Sequence, residues 1–396
     1  MIDGAIRKSD CSGCKMCGDL CPHNAIGFEV DHEGFWYPVV NADSCTECGI
    51  CLGSCPVLNE TENEMARSPV VYASWIHDED IRIKSTSGGL YWALAETALK
   101  EGAYISGCIF SDDWKSAKHI VGNTHDDLKK IFRSKYIQSD TAGVYRKVRE
   151  LLVSGEKVLF CGTPCHNAAL LEFLGKDHER LILCDFICRG VNSPKAHEAH
   201  IEELVKRYKS EIEFFNFKNK KQGWNRLGLL VKFKNGKESF TNRYNSAWTR
   251  GYIGSNLYMR PSCENCRFKS IPRISDITLA DFWGLKKGKN DIKKGISLAM
   301  TNTEKGHDFY KKTLPLLHSE PSALEQAVEG NACIYNTPKF NHEKRNEFFR
   351  RIENESFSDV VFELEGTNRF NIFFFEKVMI FKEIAIKWIK KILRMT

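Results

Sequence analysis

Several features that mark familiar protein classes are absent from this sequence. No run approaches the ~18 apolar residues that a membrane-spanning helix needs. The opening residues, MIDGAIRKSDC, lack the apolar stretch of a secretory signal. The motif Cys-x3-Cys-x2-Cys, which would indicate a radical enzyme, is also missing. These absences argue against a membrane-spanning protein, an exported protein and a radical enzyme, and they favour a cytoplasmic protein.

The body of the chain also lacks an excess of positive charge, although the formal net charge is +6. Residues 369–396 contain seven Lys or Arg and two Asp or Glu, so this segment carries +5 and the remainder +1. The basic balance therefore belongs to a tail, and we expect no nucleic-acid partner. The length, 396 residues, allows two or three domains.

Cysteine, in contrast, is abundant, with 16 residues. In a reducing cytosol, clustered cysteines bind metal more often than they form disulfides. Two copies of the run Cys-x2-Cys-x2-Cys-x3-Cys-Pro lie near the start of the chain. Their cysteines are Cys11, Cys14, Cys17 and Cys21 in the first run, and Cys45, Cys48, Cys51 and Cys55 in the second.

The doubled run is typical of two-cluster bacterial ferredoxins, in which the fourth cysteine of each run ligates the other cluster. It predicts two [4Fe-4S] clusters. The alternatives, a pair of zinc knuckles or disulfides, account poorly for two complete copies of the run. The predicted ligands are Cys11, Cys14, Cys17 and Cys55 for the first cluster, and Cys45, Cys48, Cys51 and Cys21 for the second.

After a polar linker at residues 60–69, strand-like and helix-like segments alternate, which predicts an α/β domain with a partly parallel, mixed sheet. Asn235-Gly236 indicates a β-hairpin over 227–240. The predicted strands are 70–76, 104–110, 157–160 and 181–187, and the predicted helices are 88–99, 143–152, 166–174 and 194–208.

These elements divide the chain into an α+β ferredoxin-like domain, a larger α/β domain in two parts and a helical, basic tail. In the tail, apolar residues recur at helical spacing over 370–393, with lysines between them. Such a helix either rests on an anionic membrane or packs on the body with its cationic face exposed, and the second alternative is slightly favoured. The predicted boundaries are 1–60, 70–155, 156–320 and 321–396.

Hydroxyls and two glycines stand together in Ser85-Thr86-Ser87-Gly88-Gly89, between a predicted strand and a predicted helix. Free backbone N–H groups point outward at a helix N-terminus, so this segment is a candidate phosphate cradle. The alternative is an ordinary N-cap with a flexible approach.

The remaining cysteines include two pairs at the ends of neighbouring strands and one Cys-x2-Cys. Because ligand sites of α/β sheets lie at the carboxyl ends of strands, these residues are candidates for a third metal site. Cys108 and Cys333 are interpreted as buried, small hydrophobic residues. The candidates are Cys161, Cys165, Cys184, Cys188, Cys263 and Cys266.

In this order, the motifs resemble the beta subunit family of coenzyme F-420 hydrogenase/dehydrogenase over roughly residues 1–300, a combination more specific than any one motif. The motifs are Ser85–Gly89, Ser134-Lys-Tyr-Ile-Gln-Ser139, Gly162-Thr-Pro-Cys165, Cys188-Arg-Gly-Val-Asn-Ser-Pro194, Arg260-Pro-Ser-Cys263-x2-Cys266 and Ser275-Asp-Ile-Thr-x2-Asp-Phe-Trp-Gly284.

The resemblance implies a flavin-binding type of α/β domain in an oxidoreductase that binds FAD and iron–sulfur clusters. Some members of the family reduce a deazaflavin coenzyme and others a chlorophyll precursor. Many bacterial relatives with a fused ferredoxin are linked to cell-surface polysaccharide synthesis. The implied partners are an external electron donor, such as a ferredoxin or a reductase, and an unknown small-molecule acceptor. A non-catalytic electron-transfer subunit and a non-redox interaction protein are the alternatives.

The resemblance also assigns residues. It implies a third [4Fe-4S] cluster on Cys165, Cys188, Cys263 and Cys266, with a four-thiolate zinc site as the alternative. His166 stands where the family generally has Gln. Lys135 would offset the charge of the pyrophosphate or the flavin, or would be a solvated charge at a helix end. The FAD contacts implied are Ser85, Ser87, Gly88, Gly89, Lys135, Thr163 and Asp281.

Overall fold

The protein is described by a computed structural model that covers residues 1–60, 64–283, 285, 292–372, 374, 377–379, 381, 382 and 385. The strands are β1 (Ile26–Val30), β2 (Trp36–Val40), β3 (Val70–Ile76), β4 (Tyr104–Phe110), β5 (Ala117–Gly122), β6 (Val158–Cys161), β7 (Leu181–Phe186), β8 (Ile212–Asn219), β9 (Gly228–Phe233), β10 (Glu238–Asn242), β11 (Ile277–Asp281), β12 (Ser297–Thr301) and β13 (Leu317–Ser322). The α-helices are α1 (Ile2–Ala5), α2 (Met16–Leu20), α3 (Ile50–Gly53), α4 (Glu79–Lys84), α5 (Leu90–Lys100), α6 (His125–Ile131), α7 (Val144–Val153), α8 (Pro164–Leu174), α9 (Pro194–Tyr208), α10 (Ala247–Thr249), α11 (Glu304–Thr313), α12 (Leu324–Gly330), α13 (His342–Arg351) and α14 (Phe357–Leu364).

The centre of the fold is an eight-stranded mixed sheet with the order β13-β3-β12-β11-β7-β6-β4-β5. Strands β11, β7, β6 and β4 are parallel, whereas β12, β13 and β5 run antiparallel to their neighbours. Buried apolar side chains from α5 and α6 cover one face, and those from α7 and α8 cover the other. The loops after the parallel strands therefore meet at one edge, hereafter the carboxyl edge.

A second, three-stranded sheet with the order β10-β9-β8 packs its apolar face on α9 and α14. The turn between β9 and β10 contains Gly236, whose φ of +82° is a backbone conformation that glycine adopts without strain. The hairpin predicted over 227–240 is present, but β8 extends it to a sheet.

The N-terminal segment forms an antiparallel hairpin of β1 and β2 with short helices around it. Buried polar contacts join this segment to the rest of the chain. Arg345 of α13 pairs with Glu33, and both side chains are more than nine-tenths buried. Asp19 accepts hydrogen bonds from the backbone N–H groups of Gly143 and Tyr145. The ferredoxin-like segment is therefore packed against the larger domain.

The predicted elements are present, with shifted ends that have physical causes. The helix predicted from residue 88 begins at Leu90, because Gly89 is its N-cap with a φ of +90°. The helix predicted from residue 166 begins at Pro164, because Thr163 caps it and proline suits the first helical position. Strands of the main sheet come from both sides of residue 155, so the two predicted parts of the larger domain share one sheet.

The predicted tail, 321–396, contains α12, α13 and α14, whereas its amphipathic stretch at 370–393 lies mostly outside the described residues. Phe370, Phe374 and Phe381 are exposed where this stretch is described. No helix among the residues that the structure describes is long and apolar enough to cross a membrane.

Candidate functional site

The first cysteine run forms a loop that leads into α2. Lys15, the N-cap of this helix, has left-handed backbone geometry, with a φ of +58°. The loop encloses a cavity together with the last cysteine of the second run. The cysteines that line this cavity are Cys11, Cys14, Cys17 and Cys55. The structure thus brings together the four residues that the ferredoxin pattern predicts for one cluster.

The four cysteines around this cavity are hereafter set 1, and burial disfavours ionisation of three of them, Cys14, Cys17 and Cys55. Burial raises the pKa of Cys14 to about 12, and negative charge on Cys11 or Cys55 raises it further. Burial also raises the pKa values of Cys17 and Cys55. A cluster binds thiolates, so loading this site releases protons that the buried thiols otherwise hold.

Replacing Cys55 with serine should perturb the same cluster as replacing Cys11, although Cys55 belongs to the other run. We expect Cys55→Ser and Cys11→Ser to change the same signal in electron paramagnetic resonance spectra of the reduced protein. The matched variants Cys21→Ser and Cys45→Ser should both change the other signal. If Cys55→Ser instead matches Cys45→Ser, the exchange of the fourth cysteine between the runs is wrong.

The second group of cysteines lies nearer the surface. Set 2 is Cys45, Cys48, Cys51 and Cys21, and Cys48 is exposed. Burial raises the pKa of Cys51, and negative charge on Cys48 and Cys21 adds to the effect, which places these thiols close to one another.

Four inner cysteines meet at the carboxyl edge of the main sheet. Set 3 is Cys165 at the start of α8, Cys188 after β7, and Cys263 and Cys266 in the loop before β11. Burial raises the pKa of Cys165 well above its usual value, and negative charge on Cys266 and Cys188 raises it further. Burial likewise raises the pKa of Cys188 to about 12, with Cys263 and Cys266 adding to it. The four ligands implied for a third cluster are thus neighbours.

Sets 1 and 3 are adjacent. The thiol of Cys165 senses the charge of Cys14, and one arginine connects their loops. Arg260, which is fully buried, donates to the carbonyl oxygen of Cys11 at 2.7 Å, to that of Trp36 at 3.1 Å and to Oε1 of Gln138 at 2.9 Å. The arginine precedes Cys263 by three residues, so it ties the loop of set 3 to the loop of set 1.

Gly13 is required at this junction. Its φ is +68°, and a Cβ there would lie 2.6 Å from Nη1 of Arg260 and 2.4 Å from Nε2 of Gln138. Any larger residue would push the two cysteine sets apart.

The glycine- and serine-rich segment lies at the same edge, and most of its polar groups already have partners. Ser85 Oγ donates to the carbonyl oxygen of Ile81, and Ser87 Oγ donates to that of Ile296. The N–H group of Gly88 donates to Ser297 Oγ at 2.9 Å. Gly89 has no side chain to cap α5, so the first N–H groups of that helix are available to a ligand.

Lys135 is a helix-end charge with protein partners. Its Nζ donates to carbonyl oxygens at and after the end of α6, including that of Ile131 at 2.5 Å and that of Phe132 at 2.9 Å. Burial lowers the pKa of Lys135 to about 8. Lys135 is thus a partly exposed helix-end charge whose ammonium group is held by backbone carbonyl oxygens.

The other two predicted contacts also have protein partners. Thr163 Oγ1 lies 3.0 Å from the sulfur of Cys165, so it touches set 3 directly. Asp281, at the end of β11, accepts from Nζ of Lys218 at 2.7 Å and from Nε1 of Trp224 at 3.2 Å. Lys218 and Trp224 were not predicted, and β8 and the following turn carry no motif that would have indicated them.

Arg260 was also missed as a functional residue. It stands inside the motif that carries Cys263 and Cys266, so its position next to two ligands was the available signal. Within the described ranges, no three His, Cys, Asp or Glu side chains are placed to hold a single metal ion.

Comparison with known proteins assigns two regions. Residues 10–59 match a 4Fe-4S dicluster domain. Residues 155–320 match the C terminus of the coenzyme F420 hydrogenase/dehydrogenase beta subunit. The chain is thus an iron–sulfur protein of the oxidoreductase, electron-transfer type. More narrowly, residues 155–320 carry the C-terminal region of the coenzyme F420 hydrogenase/dehydrogenase beta subunit family, and a ferredoxin-type domain lies on their N-terminal side, as the resemblance predicted.

Individual relatives cover parts of the chain. The ferredoxin-type protein NapF of Haemophilus influenzae is 42% identical over 55 residues, which are 14% of this chain and 31% of that protein. The coenzyme F420-dependent sulfite reductase of Methanocaldococcus jannaschii is 26% identical over 167 residues, which are 41% of this chain and 25% of that protein. The chain thus spans about a third or less of these two relatives.

Among solved structures, a chain of the F420-reducing [NiFe] hydrogenase complex from Methanosarcina barkeri aligns with a TM-score of 0.47 and 17% identity. The alignment covers 74% of this chain and 97% of that chain.

Proposed function

We propose that the protein is an iron–sulfur flavoenzyme that passes electrons from a low-potential donor through three [4Fe-4S] clusters to FAD and on to a small-molecule acceptor. Because the chain resembles bacterial proteins that are linked to cell-surface polysaccharide synthesis, we place the acceptor in that process. The observation that carries the proposal is the sequence of cysteine sets. They run from exposed Cys48 in set 2, through set 1, to set 3 at the carboxyl edge, with Cys14 beside Cys165.

The proposed clusters fit the residues that are present. Set 1 lines a cavity with four thiols, and set 3 gathers four partly buried cysteines from three separate segments. Thr163 Oγ1, 3.0 Å from Cys165 Sγ, donates to that sulfur, and hydrogen bonds to ligating sulfurs raise cluster potentials. The N–H group of Val191 donates to Cys263 Sγ at 3.5 Å in the same way.

The uncapped N-terminus of α5 supports a flavin site. Its free N–H groups and its dipole favour a pyrophosphate next to Gly88 and Gly89. A bound flavin would accept electrons singly and release them in pairs. Lys135 would act on the flavin through its charge alone, since carbonyl oxygens surround its ammonium group. Asp281 would accept hydrogen bonds from a ligand only in competition with Lys218.

Cofactor analysis of the full-length protein tests this proposal. We expect roughly 12 iron and 12 sulfide per chain, and roughly 8 of each in Cys263→Ser, because that variant loses a ligand of the third cluster. We also expect a flavin absorbance, or tight uptake of added FAD. Zinc in place of the four iron atoms of the third cluster would show that set 3 is a zinc site and would overturn the third cluster.

A second function has its own supporting observation. Because the hydroxyls of Ser85 and Ser87 already donate to backbone carbonyls, the chain could carry clusters without a flavin. It would then be an electron-transfer subunit that delivers electrons to a partner enzyme. Full iron content together with no bound flavin and no uptake of added FAD would favour the electron-transfer subunit over the flavoenzyme.

The surface around set 2 defines the donor. Residues 41–50 are exposed except for Cys45, and no Lys or Arg occurs between Lys15 and Arg67. Asp43 and Glu47 lie on this surface and contribute negative charge, while the N-terminal amino group contributes a positive charge that acts on Cys51. A donor with a positive face around its own cofactor fits it, whereas an acidic ferredoxin would be repelled.

Reversing two charges should slow electron exchange with a cationic partner. We expect Asp43→Lys/Glu47→Lys to reduce a cationic c-type cytochrome about 3–10-fold more slowly than wild type at low ionic strength, with the difference shrinking in 0.5 M salt. The measurement is stopped-flow reduction of the cytochrome by dithionite-reduced protein. The control, Glu179→Lys, changes an exposed residue ahead of β7, at the opposite edge of the sheet. Equal slowing in Asp43→Lys/Glu47→Lys and in Glu179→Lys would contradict the proposal that the partner docks at the surface around set 2.

Peripheral contact of the cationic tail with the inner face of a membrane remains a prediction. The exposed Phe370, Phe374 and Phe381 support it, since large apolar side chains beside lysines suit an anionic lipid surface.

A further inference from the structure

Cys161 and Cys184, which are not among the proposed cluster ligands, lie side by side on neighbouring strands of the main sheet. Cys161 ends β6 and is partly buried, whereas Cys184, in β7, is fully buried. The two residues are register partners in neighbouring parallel strands. Burial raises the pKa of Cys184 well above its usual value, and the neighbouring Cys161 raises it further. Cys108, in comparison, donates to the carbonyl oxygen of Ile109, although negative charge on Cys161 also raises its pKa.

The pair lies directly beside set 3. Cys161 precedes Cys165 by four residues, and Cys184 precedes Cys188 by four residues, so each strand carries one member of the pair and one proposed cluster ligand. The two cysteines and the two ligands therefore stand on adjacent loops of the carboxyl edge.

A tyrosine completes the surroundings of the pair. Both thiols act electrostatically on Tyr91, the second residue of α5. Its hydroxyl is buried and has no hydrogen-bond partner among the residues that the structure describes. Burying a hydroxyl without a hydrogen-bond partner costs free energy. We therefore interpret the position of the Tyr91 hydroxyl as functional, next to two sulfur atoms whose oxidation state changes.

The backbone geometry suits a disulfide. Neighbouring strands are about 4.8 Å apart, and disulfides join residues whose Cα atoms are about 4.4–6.8 Å apart. Cys161 and Cys184 are register partners in such strands, so they can be joined without a large backbone movement.

We propose that Cys161 and Cys184 form a reversible dithiol–disulfide couple that exchanges two electrons with the third cluster. On oxidation, the two S–H bonds break, one S–S bond forms and two protons leave. The two electrons pass one at a time through set 3 to the other clusters, and from there to a one-electron redox protein that docks at set 2. The reverse reaction takes up two electrons from that protein and two protons. This inference rests on the proposed third cluster, and it gives the protein a two-electron store that does not depend on the flavin.

Thiol trapping in the full-length protein tests the couple. The protein is equilibrated anaerobically in mixtures of reduced and oxidised dithiothreitol, quenched in acid, alkylated in denaturant and digested for mass spectrometry. We expect Cys161 and Cys184 to lose alkylation together as the mixture becomes oxidising, and a disulfide-linked pair of their peptides to appear. Cys108 should stay alkylated. Alkylation of both residues across the whole range would overturn the proposal.

The link to the clusters has a separate readout. After oxidation, dithionite together with a catalytic amount of a viologen should restore both thiols in wild type, and at least tenfold more slowly in Cys263→Ser, which lacks a ligand of set 3. Equal rates of thiol recovery in wild type and Cys263→Ser would show that the disulfide is reduced without the third cluster, and would overturn the proposed electron exchange. Iron and sulfide content, measured on the same samples, reports failure of the proposed cluster independently. Cys108→Ser is the matched control and should behave as wild type.

Discussion

Replacing Arg260 with methionine is expected to destabilise the protein by about 3–5 kcal/mol and to slow electron transfer between sets 1 and 3. Methionine fills part of the volume but donates no hydrogen bond. The carbonyl oxygens of Cys11 and Trp36 and the amide oxygen of Gln138 would then be buried without this donor. Each such group costs about 1–3 kcal/mol.

The positive charge of Arg260 has a second effect. The guanidinium lies against the loops of the two cysteine sets that would hold negatively charged clusters under the proposed function, and it lowers the pKa of Cys263 against the larger effect of burial. Its removal should therefore lower the reduction potentials of the nearby clusters, since net charge is one determinant of these potentials.

Urea unfolding and a spectroscopic redox titration measure both effects of Arg260→Met. Arg260→Lys keeps the charge but loses the fork of donors, so it should restore the potentials more than the stability. The control is Arg7→Met at an exposed position. A stable Arg260→Met protein with unchanged potentials would contradict this account of the junction.

The pair His197 and His200 should make the protein lose stability in acid. Both residues are buried on α9, against aromatic side chains that include Trp248. Burial lowers the pKa of each to about 3, from an ordinary value of 6.5. Charge on His200 lowers the pKa of His197 further, whereas the Trp114 carbonyl and Asp113 act against the shift; Arg207 adds to the lowering at His200.

The direction of the pH effect follows from these shifts. Below about pH 6.5 the unfolded chain takes up protons that the folded histidines refuse, so the free energy of unfolding falls as the pH falls toward 3. The stabilisation is complete above pH 6.5, and each histidine contributes a loss of up to about 1.4 kcal/mol per pH unit in this window.

Substituting His200 by phenylalanine should reduce this loss. Neither ring nitrogen of His200 has a hydrogen-bond partner in the described part of the chain, so His200→Phe should also gain about 1–2 kcal/mol at neutral pH. Urea unfolding at pH 7.5 and pH 5.5 measures both. His77→Phe, at an exposed position, should leave the pH dependence unchanged. An acid loss in His200→Phe equal to that of wild type would contradict the role of this histidine.

The sequence predicted the fold best where a local pattern carries long-range information. Strands β3, β4 and β7 and helix α9 could be found from hydrophobic runs and turn residues, and the doubled cysteine run predicted which four thiols would meet around one cavity. The order of the sheet and the addition of β8 to the hairpin depend on packing between distant segments, which leaves no local pattern.

The candidate site was predictable to the extent that it consists of cysteines. The placement of Cys165, Cys188, Cys263 and Cys266 together agrees with the resemblance, while their role as ligands remains a proposal. Arg260 was not recognised despite its place in the motif of Cys263, because an arginine in a loop is usually a solvated charge, and only the folded chain shows that it is fully buried. The partners of Lys135 could not be predicted for the same reason, because the sequence does not show how far the end of a helix is exposed to solvent.

Set 3 draws its thiols from positions 165, 188, 263 and 266, which belong to three segments of the main domain. Sets 1 and 2, in contrast, are complete within the first 55 residues. During synthesis the two N-terminal sites therefore exist as full ligand sets long before the third does. The inner site exists only after residue 266 has left the ribosome and β6 and β7 have paired. With the proposed third cluster in set 3, iron–sulfur loading would be a process in two stages, and the last cluster would form only once the large domain has folded.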